Sequence, residues 1–259
     1  MSKIITRLIA VAAILMSTAT CAQSDQETNQ PASDTARTVL ITGANRGIGL
    51  ELARQYSTAG WQVVGTARNP AKADELRNLD VRIMQLDVTD QQSVDALADA
   101  LGEQPIDMLI NNAGIFPRVM TLTDIDIDAF NRTLAVNILG PVRVTRALLP
   151  NIRLGSLKKI INVSSNLGSI ANNTGGRYYG YRESKAALNM FTRTLAAEFG
   201  KLGFICIALN PGWVQTDMGG ANATLTVQDS VNQIRTVLSE LKTEDNGSYW
   251  SYDGTKLPW

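Results

Sequence analysis

Thr38-Val39-Leu40-Ile41-Thr42-Gly43-Ala44-Asn45-Arg46-Gly47-Ile48-Gly49 is the stretch that decides how this chain is read. A short β-branched run comes first, glycines 43, 47 and 49 follow at once, and Leu50-Glu51-Leu52-Ala53-Arg54-Gln55-Tyr56 then has helical character. Small residues between a strand and a helix let the backbone approach a phosphate, and the helix N-terminus supplies free N–H donors and a favourable dipole for it. The same pattern also serves as a tight strand-to-helix turn without a ligand, so the surrounding chain has to discriminate.

Outward from that turn, residues 62–68 read as a second strand that ends in Arg68. A site selective for NAD usually has an acid here for the adenine ribose hydroxyls, whereas an arginine accommodates the 2′-phosphate of NADP. With Arg46 inside the glycine turn, two guanidinium groups are available to clamp that phosphate, although each alone also suits a solvated surface. The alternation continues with a helix over 71–78, a strand over 81–86 running into Asp87-Val88, a helix over 91–101, and a strand over 107–110 running into Asn111-Asn112-Ala113-Gly114. Strands alternating with helices predict an α/β fold: one doubly wound parallel sheet of about seven strands, with helices on both faces. Ligands of such sheets bind at the carboxyl ends of the strands, where every motif named so far falls.

A long helical stretch follows Ile127 and carries Asn137 among apolar neighbours, a buried polar group that must find partners or bend the helix. The strand over 159–163 ends in Ser164-Ser165, and a Gly- and Asn-containing loop leads to Tyr181-Arg182-Glu183-Ser184-Lys185. On a helix, residues four apart share a face, so the Tyr181 hydroxyl and the Lys185 ammonium converge on one small volume. A neighbouring cation favours the phenolate, so the pair is expected to make a proton donor with a lowered pKa. Taken alone, Tyr and Lys at this spacing equally suit a decorated helix surface. Apolar residues Leu188, Phe191, Leu195 and Phe199 predict that this helix packs on the sheet. A strand over 202–209, an apolar-lined loop over 210–218, a helix over 226–242 and a strand over 248–251 complete the chain.

Composition narrows the chemistry. The 259 residues contain no His, which excludes Ser-His-Asp triads, His-ligated zinc and imidazole proton shuttles, and no metal is expected. Lys plus Arg equals Asp plus Glu at 24 each, so no net field attracts nucleic acid. Cys206 lies in the apolar run Phe204-Ile205-Cys206-Ile207 and reads as a buried thiol, so a disulfide framework is not expected. Hydrophobic residues make up 44%, enough for one sizeable domain over 37–259.

The N-terminus carries Lys3, Arg7, an apolar run from Leu8 to Met16 and then small residues up to Ala22. Residues 1–22 read as a secretory signal peptide, too short to span a membrane, and residues 23–36 as a polar linker. Lipidation at Cys21 is the alternative that would tether the chain to a membrane, and translation from Met16 would leave a cytoplasmic protein.

From Arg37 to Trp259 the residues resemble the short-chain dehydrogenase/reductase family. The resemblance rests on Thr42 to Gly49, Asp87, Asn111 to Gly114, Asn137, Ser165, and Tyr181 with Lys185. The surroundings of Tyr181, the stretch Asn210-Pro211-Gly212-Trp213-Val214-Gln215-Thr216-Asp217-Met218 and the terminal Leu257-Pro258-Trp259 are similar to the sniffer- and C-factor-type branch, related to carbonyl reductases. It implies a Rossmann fold, NADP(H) as cofactor, and a small carbonyl or alcohol as substrate. It also implies roles: Tyr181 as proton donor, Lys185 as its modulator and ribose ligand, Ser165 on the reacting oxygen, and Asn137 holding water in a relay to Lys185. Gly43, Asn45, Arg46, Gly47, Ile48, Gly49, Arg68, Asp87, Val88, Asn111, Ala113, Gly114, Pro211, Gly212, Val214 and Thr216 are the implied cofactor residues, with Asp87 at the adenine, Asn111 beside the ribose and Thr216 towards the nicotinamide. The Ser-to-Tyr loop is longer than in most members, which keeps Ser164 as a second candidate. Homodimers and homotetramers are both common in the family.

Two functions are consistent with these residues. One is an NADP(H)-dependent reductase of a ketone, aldehyde or quinone, with Phe116, Leu167, Tyr179, Trp213 and Met218 as candidate pocket lining. The other is a cofactor-binding signalling or sensor protein with little turnover.

Overall fold

A computed structural model describes residues 36–259. The signal peptide, Cys21 and Met16 readings fall on residues 1–35 and lie outside the described residues.

Seven parallel strands form one sheet. In chain order they are β1 (Thr38–Ile41), β2 (Gln62–Ala67), β3 (Arg82–Gln85), β4 (Met108–Asn111), β5 (Lys159–Val163), β6 (Ile205–Asn210) and β7 (Tyr249–Ser251). Their order across the sheet is β3-β2-β1-β4-β5-β6-β7. The helices are α1 (Gly47–Thr58), α2 (Asp74–Arg77), α3 (Gln91–Leu101), α4 (Ile127–Leu134), α5 (Gly140–Leu154), α6 (Tyr181–Phe199) and α7 (Val227–Glu240).

Because strand side chains alternate, the sheet has two apolar faces. Val39, Ile41, Ile161 and Ile207 point to one, where α1 and α7 contribute Leu52, Ala53, Val231 and Ile234. Leu40, Leu109, Ile160 and Cys206 point to the other, covered through Val94 and Leu97 of α3, Val144 and Leu148 of α5, and Leu195 and Phe199 of α6. Cys206 is thus a buried thiol, as expected. None of the helices among the described residues is long and apolar enough to cross a membrane.

The sheet register places the site. β1 pairs with β2 on one side and with β4 on the other, so the loops after β1 and β4 diverge towards opposite faces and open a crevice at the carboxyl edge. Along that edge, from the β3 side, lie Asp87, Arg68, the glycine turn, Asn111 to Gly114, Ser164-Ser165 and Asn210-Pro211.

Three elements differ from the sequence expectation. The helix expected over 71–78 is a 3₁₀ turn, Pro70–Lys72, followed by the single turn of α2, with Asn69 capping the amide of Ala71. The strand expected from residue 202 starts at Ile205, because the chain first makes the 3₁₀ turn Gly200–Leu202 and then takes a left-handed φ of 83° at Gly203. The long helix after Ile127 is interrupted by a π-helical turn, Ala135–Leu139, between α4 and α5. Such turns widen the helix by one residue and are frequent at functional sites. This one carries Asn137.

Candidate active site

The glycine turn is braced from two sides. Gly43 has φ 66°, and a Cβ there would lie 3.1 Å from the Cα of Ala113, so the turn runs against the loop after β4. Asn112 donates from its side chain to the carbonyls of Thr42 and Gly43 at 2.9 and 3.2 Å, while the Thr42 hydroxyl accepts from the amides of Asn112 and Ala113, both at 3.0 Å. α1 then starts with no side-chain cap and no acid in its first turn. An uncapped N-terminus of a 12-residue helix, entered through glycine, suits an anionic group such as a diphosphate. Asn45, Gly47 and Ile48 are half-buried along this turn, and the methyl of Thr216 lies 3.2 Å from where a Cβ on Gly47 would stand.

Towards β3, Asp87 accepts from the amide and hydroxyl of Thr89 at 2.9 and 2.6 Å. The Thr89 hydroxyl holds its carboxyl below the usual range against some desolvation, with the Arg68 charge adding to the effect, so Asp87 is an anion at neutral pH. Val88 is buried against Gly140, where a Cβ would approach its side chain to 2.8 Å. Arg68 is exposed. Arg46, expected as a free partner for a phosphate, instead donates to the carboxylate of Asp217 at 2.8 Å, joining the glycine turn to the loop after β6.

Asn111 also differs from expectation. Its side chain, expected beside a ribose, is 2% exposed and donates to Asn162 Oδ1 at 2.9 Å and Thr145 Oγ1 at 3.1 Å. Asn162 passes the chain on to Thr192 at 2.9 Å. A polar ladder therefore crosses from β4 through β5 to α6, and its physical reason is that strand residues at this register face the α5–α6 layer rather than the crevice.

At the start of α6, the convergence of Tyr181 and Lys185 holds, since both lie on the buried face of its first turns. The Lys185 ammonium donates to the carbonyl of Val163 at 2.8 Å and stands 5.7 Å from the centroid of the Tyr181 ring. Burial pushes Lys185 down to about 8 and Tyr181 up to about 12, the latter against a hydrogen bond with the Ser165 hydroxyl. This corrects the expectation of a lowered phenol pKa. The ammonium is itself desolvated and directed at a main-chain carbonyl, so burial dominates over its field at the phenol.

Ser165 and Ser164 separate cleanly. Ser164 is buried and donates to Asn189 Oδ1 at 2.6 Å, while Ser165, half-buried, faces Tyr181. The Tyr249 hydroxyl of β7 donates to the carbonyl of Ser165, a contact that sequence reasoning missed because β7 lies almost seventy residues beyond Tyr181. Asn137 is fully buried: its Oδ1 accepts from the amide of Ile115 at 2.9 Å, and its Nδ2 donates to the carbonyl of Ile115 at 2.9 Å and to the Ser184 hydroxyl at 3.0 Å. Ser184 in turn donates to the carbonyl of Tyr181 at 2.7 Å. Asn137 therefore ties the loop after β4 to the first turn of α6. Gly114 lies between them, where a Cβ would come 3.8 Å from the Lys185 ammonium.

Around Tyr181, the ring of Phe116 lies 4.5 Å away by centroid and that of Tyr178 a further 5.4 Å from Phe116. Leu167 and Tyr179 are half-buried, whereas Trp213 and Met218 are exposed on the loop after β6. In that loop position 212 requires glycine, because its φ is 82° and a Cβ would meet Leu225 and Tyr252 at 2.5 and 2.9 Å. Pro211 accepts from Ser230, and Val214 is buried against Leu225, so the loop's base is fixed to α7 while its tip reaches Arg46.

The family model for short chain dehydrogenases matches residues 37–226. C-signal of Myxococcus xanthus is 47% identical over 155 residues, covering 60% of this chain and 93% of that protein. Among solved structures, the carbonyl reductase Sniffer of Drosophila melanogaster superposes with a TM-score of 0.81 at 35% identity, over 86% of this chain and all of that one. The NADPH-bound carbonyl reductase from chicken fatty liver superposes with a TM-score of 0.80, also at 35% identity, over 86% of this chain and 99% of that one. With the parallel seven-stranded sheet, the glycine turn and the Tyr181–Lys185 face already in place, the match over most of its length means that the chain belongs to the short-chain dehydrogenase family.

Proposed function

We propose that this protein is an NADP(H)-dependent reductase of small or medium carbonyl compounds, with Tyr181 as the proton donor. The observation that carries the reading is the start of α6 at the carboxyl edge of the sheet, where Tyr181 and Lys185 are buried on one face, the ammonium 5.7 Å from the phenol ring, with the half-buried Ser165 beside them. The cofactor residues fit the group by their chemistry: the uncapped start of α1 for the diphosphate, and Arg46 with Arg68 for a 2′-phosphate. The NADPH bound to the chicken carbonyl reductase supports the same choice.

When bound, NADP(H) supplies or accepts the hydride. The chain's own part is binding, orientation and proton delivery. The Ser165 hydroxyl donates to the carbonyl oxygen as negative charge develops there, and Tyr181 delivers its proton to that oxygen. A phenol near 12 is fully protonated at neutral pH, as a donor must be. The cost of forming the phenolate is lowered by the Lys185 cation held 5.7 Å from its ring. Phe116 and Tyr178 exclude water from this corner, which strengthens each of these interactions. Asn137, as a positioning residue, keeps α6 and the loop after β4 in register.

The likeness to C-signal favours a second reading, a cofactor-binding signalling protein with little turnover. Binding of NADPH and NADH, followed by a carbonyl turnover screen of the wild type and Tyr181→Phe, separates the two. Turnover abolished by the substitution supports the reductase. Tight NADPH binding without turnover supports the signalling reading, and no binding of either nucleotide overturns both.

A further inference from the structure

At the opposite edge of the same central strands lies a second cavity of about 670 Å³. It opens where β1, β4, β5 and β6 begin, and its lining includes Arg37, Lys159, Arg235 and Lys242. The guanidinium of Arg37 stands over the ring of Trp61 at 6.0 Å, and that of Arg235 over Tyr56 at 5.2 Å, so both forks are oriented by aromatic faces that also line the cavity. Lys159 is only 6% exposed.

None of the four cations has a carboxylate within ion-pair distance among the described residues. The neighbouring Asp107 is taken up by the amide of Thr38 and by the amide and hydroxyl of Ser156, at 2.7 to 2.8 Å. Asp245 receives Lys256 and the amide of Lys242, and Glu244 is the one acid lining the cavity among the described residues. The end of α7 accounts for one cation, since Lys159 donates to the carbonyl of Leu238 at 2.7 Å and a positive charge is favoured there. It does not account for Arg235, whose Nε is buried without a hydrogen-bond partner among the described residues and whose Nη1 donates to Gln55 at 3.3 Å. Nor does it account for Arg37, close enough to Lys159 to add to the desolvation that holds that ammonium below its ordinary range. Like charges gathered in a partly enclosed space destabilise one another unless an anion joins them.

We infer that this cavity is a binding site for a small anion carrying two or more negative charges on oxygen, either a phosphate ester or a polycarboxylate. Arg37 and Arg235 would hold its oxygens through their forks, and Lys159 would neutralise the innermost charge. The site is separated from Tyr181 by the full length of β5, so it is distinct from the cofactor crevice.

The test is calorimetric titration of the full chain with inorganic pyrophosphate and, separately, with citrate. Wild type is compared with Arg235→Gln, with Arg37→Gln, and with an Arg46→Gln/Arg68→Gln double variant that weakens anion binding at the cofactor crevice. At least one anion should bind once per chain, survive the double variant, and weaken by about tenfold or more in Arg235→Gln or Arg37→Gln, as loss of a charged hydrogen bond predicts. A response to pyrophosphate alone assigns the phosphate source, and one to citrate alone the carboxylate source. The proposal is overturned if neither anion binds, or if the double variant abolishes binding that both cavity variants retain.

Discussion

Two buried lysines stand at the two ends of β5. Lys185 is 5% exposed and donates to the carbonyl of Val163, the last residue of the strand; Lys159, the first residue, is 6% exposed and donates to the carbonyl of Leu238. Burial lowers the pKa of both. What differs is the company: Lys185 has the phenol of Tyr181 beside it, whereas Lys159 has the guanidinium of Arg37. Burial of a charge therefore does not by itself mark a catalytic group. In the proposed reaction and the inferred anion site, it is the partner that decides whether the ammonium assists a proton transfer or receives an anion.

The sharpest way to break this comparison is to remove each ammonium in turn. Lys185→Met should lower carbonyl turnover by roughly 10²–10⁴-fold, as should Tyr181→Phe, the range expected for loss of general acid catalysis. Lys159→Met should leave turnover within about twofold, because Lys159 lies at the end of β5 away from Tyr181 and touches none of the proposed reacting groups. Steady-state assays with a carbonyl substrate check all three, and equal losses from both lysines would remove the distinction.

Next in size is Asn137→Ala. Losing its side chain leaves the amide and carbonyl of Ile115 and the Ser184 hydroxyl short of partners, a cost on the order of 2–4 kcal/mol in unfolding stability. Chemical denaturation reads it directly.

The pH dependence sharpens the comparison further. Lys185 sits at about 8 when folded and at its ordinary 10.5 when unfolded, so between these values the unfolded chain binds more protons and stability rises with pH. Tyr181, raised from 10 to about 12, works the other way above pH 10. The rate of reduction should fall by up to about tenfold per unit above pH 8, as the ammonium beside the phenol is lost. Denaturation midpoints and rate profiles at pH 7 to 10 in wild type and Lys185→Met test both signs.

The smallest effect is at the exposed Arg46–Asp217 pair, 67% and 78% accessible at the side chains. Asp217→Asn should change stability by less than about 0.5 kcal/mol, yet tighten NADPH binding a few-fold by releasing Arg46. A fluorescence titration of the nucleotide would show it, and weaker binding would mean that the pair holds the loop for the cofactor rather than competing with it.

Much of the site was legible because it is local. A strand running into Gly43, Gly47 and Gly49, and Tyr181 four residues before Lys185 on a helix, are short-range patterns whose geometry follows from backbone sterics and a 3.6-residue period. The side-chain ladder from Asn111 to Asn162 was not legible because the face of a strand residue depends on register, which alternates and is set by neighbours far along the chain. The π-helical turn under Asn137 has no composition of its own, and the apolar spacing around it reads as a continuous helix.

The sequence by itself determined the alternation of strands and helices, the absence of imidazole chemistry, and which side chains are candidates for the acid–base work. Only the tertiary structure decided the protonation behaviour of those groups, because desolvation depends on every layer packed around α6. It alone also joined Tyr249 to Ser165, Arg46 to Asp217, and Arg37 to Lys159 and Arg235, residues that share no local pattern and meet only when the sheet closes.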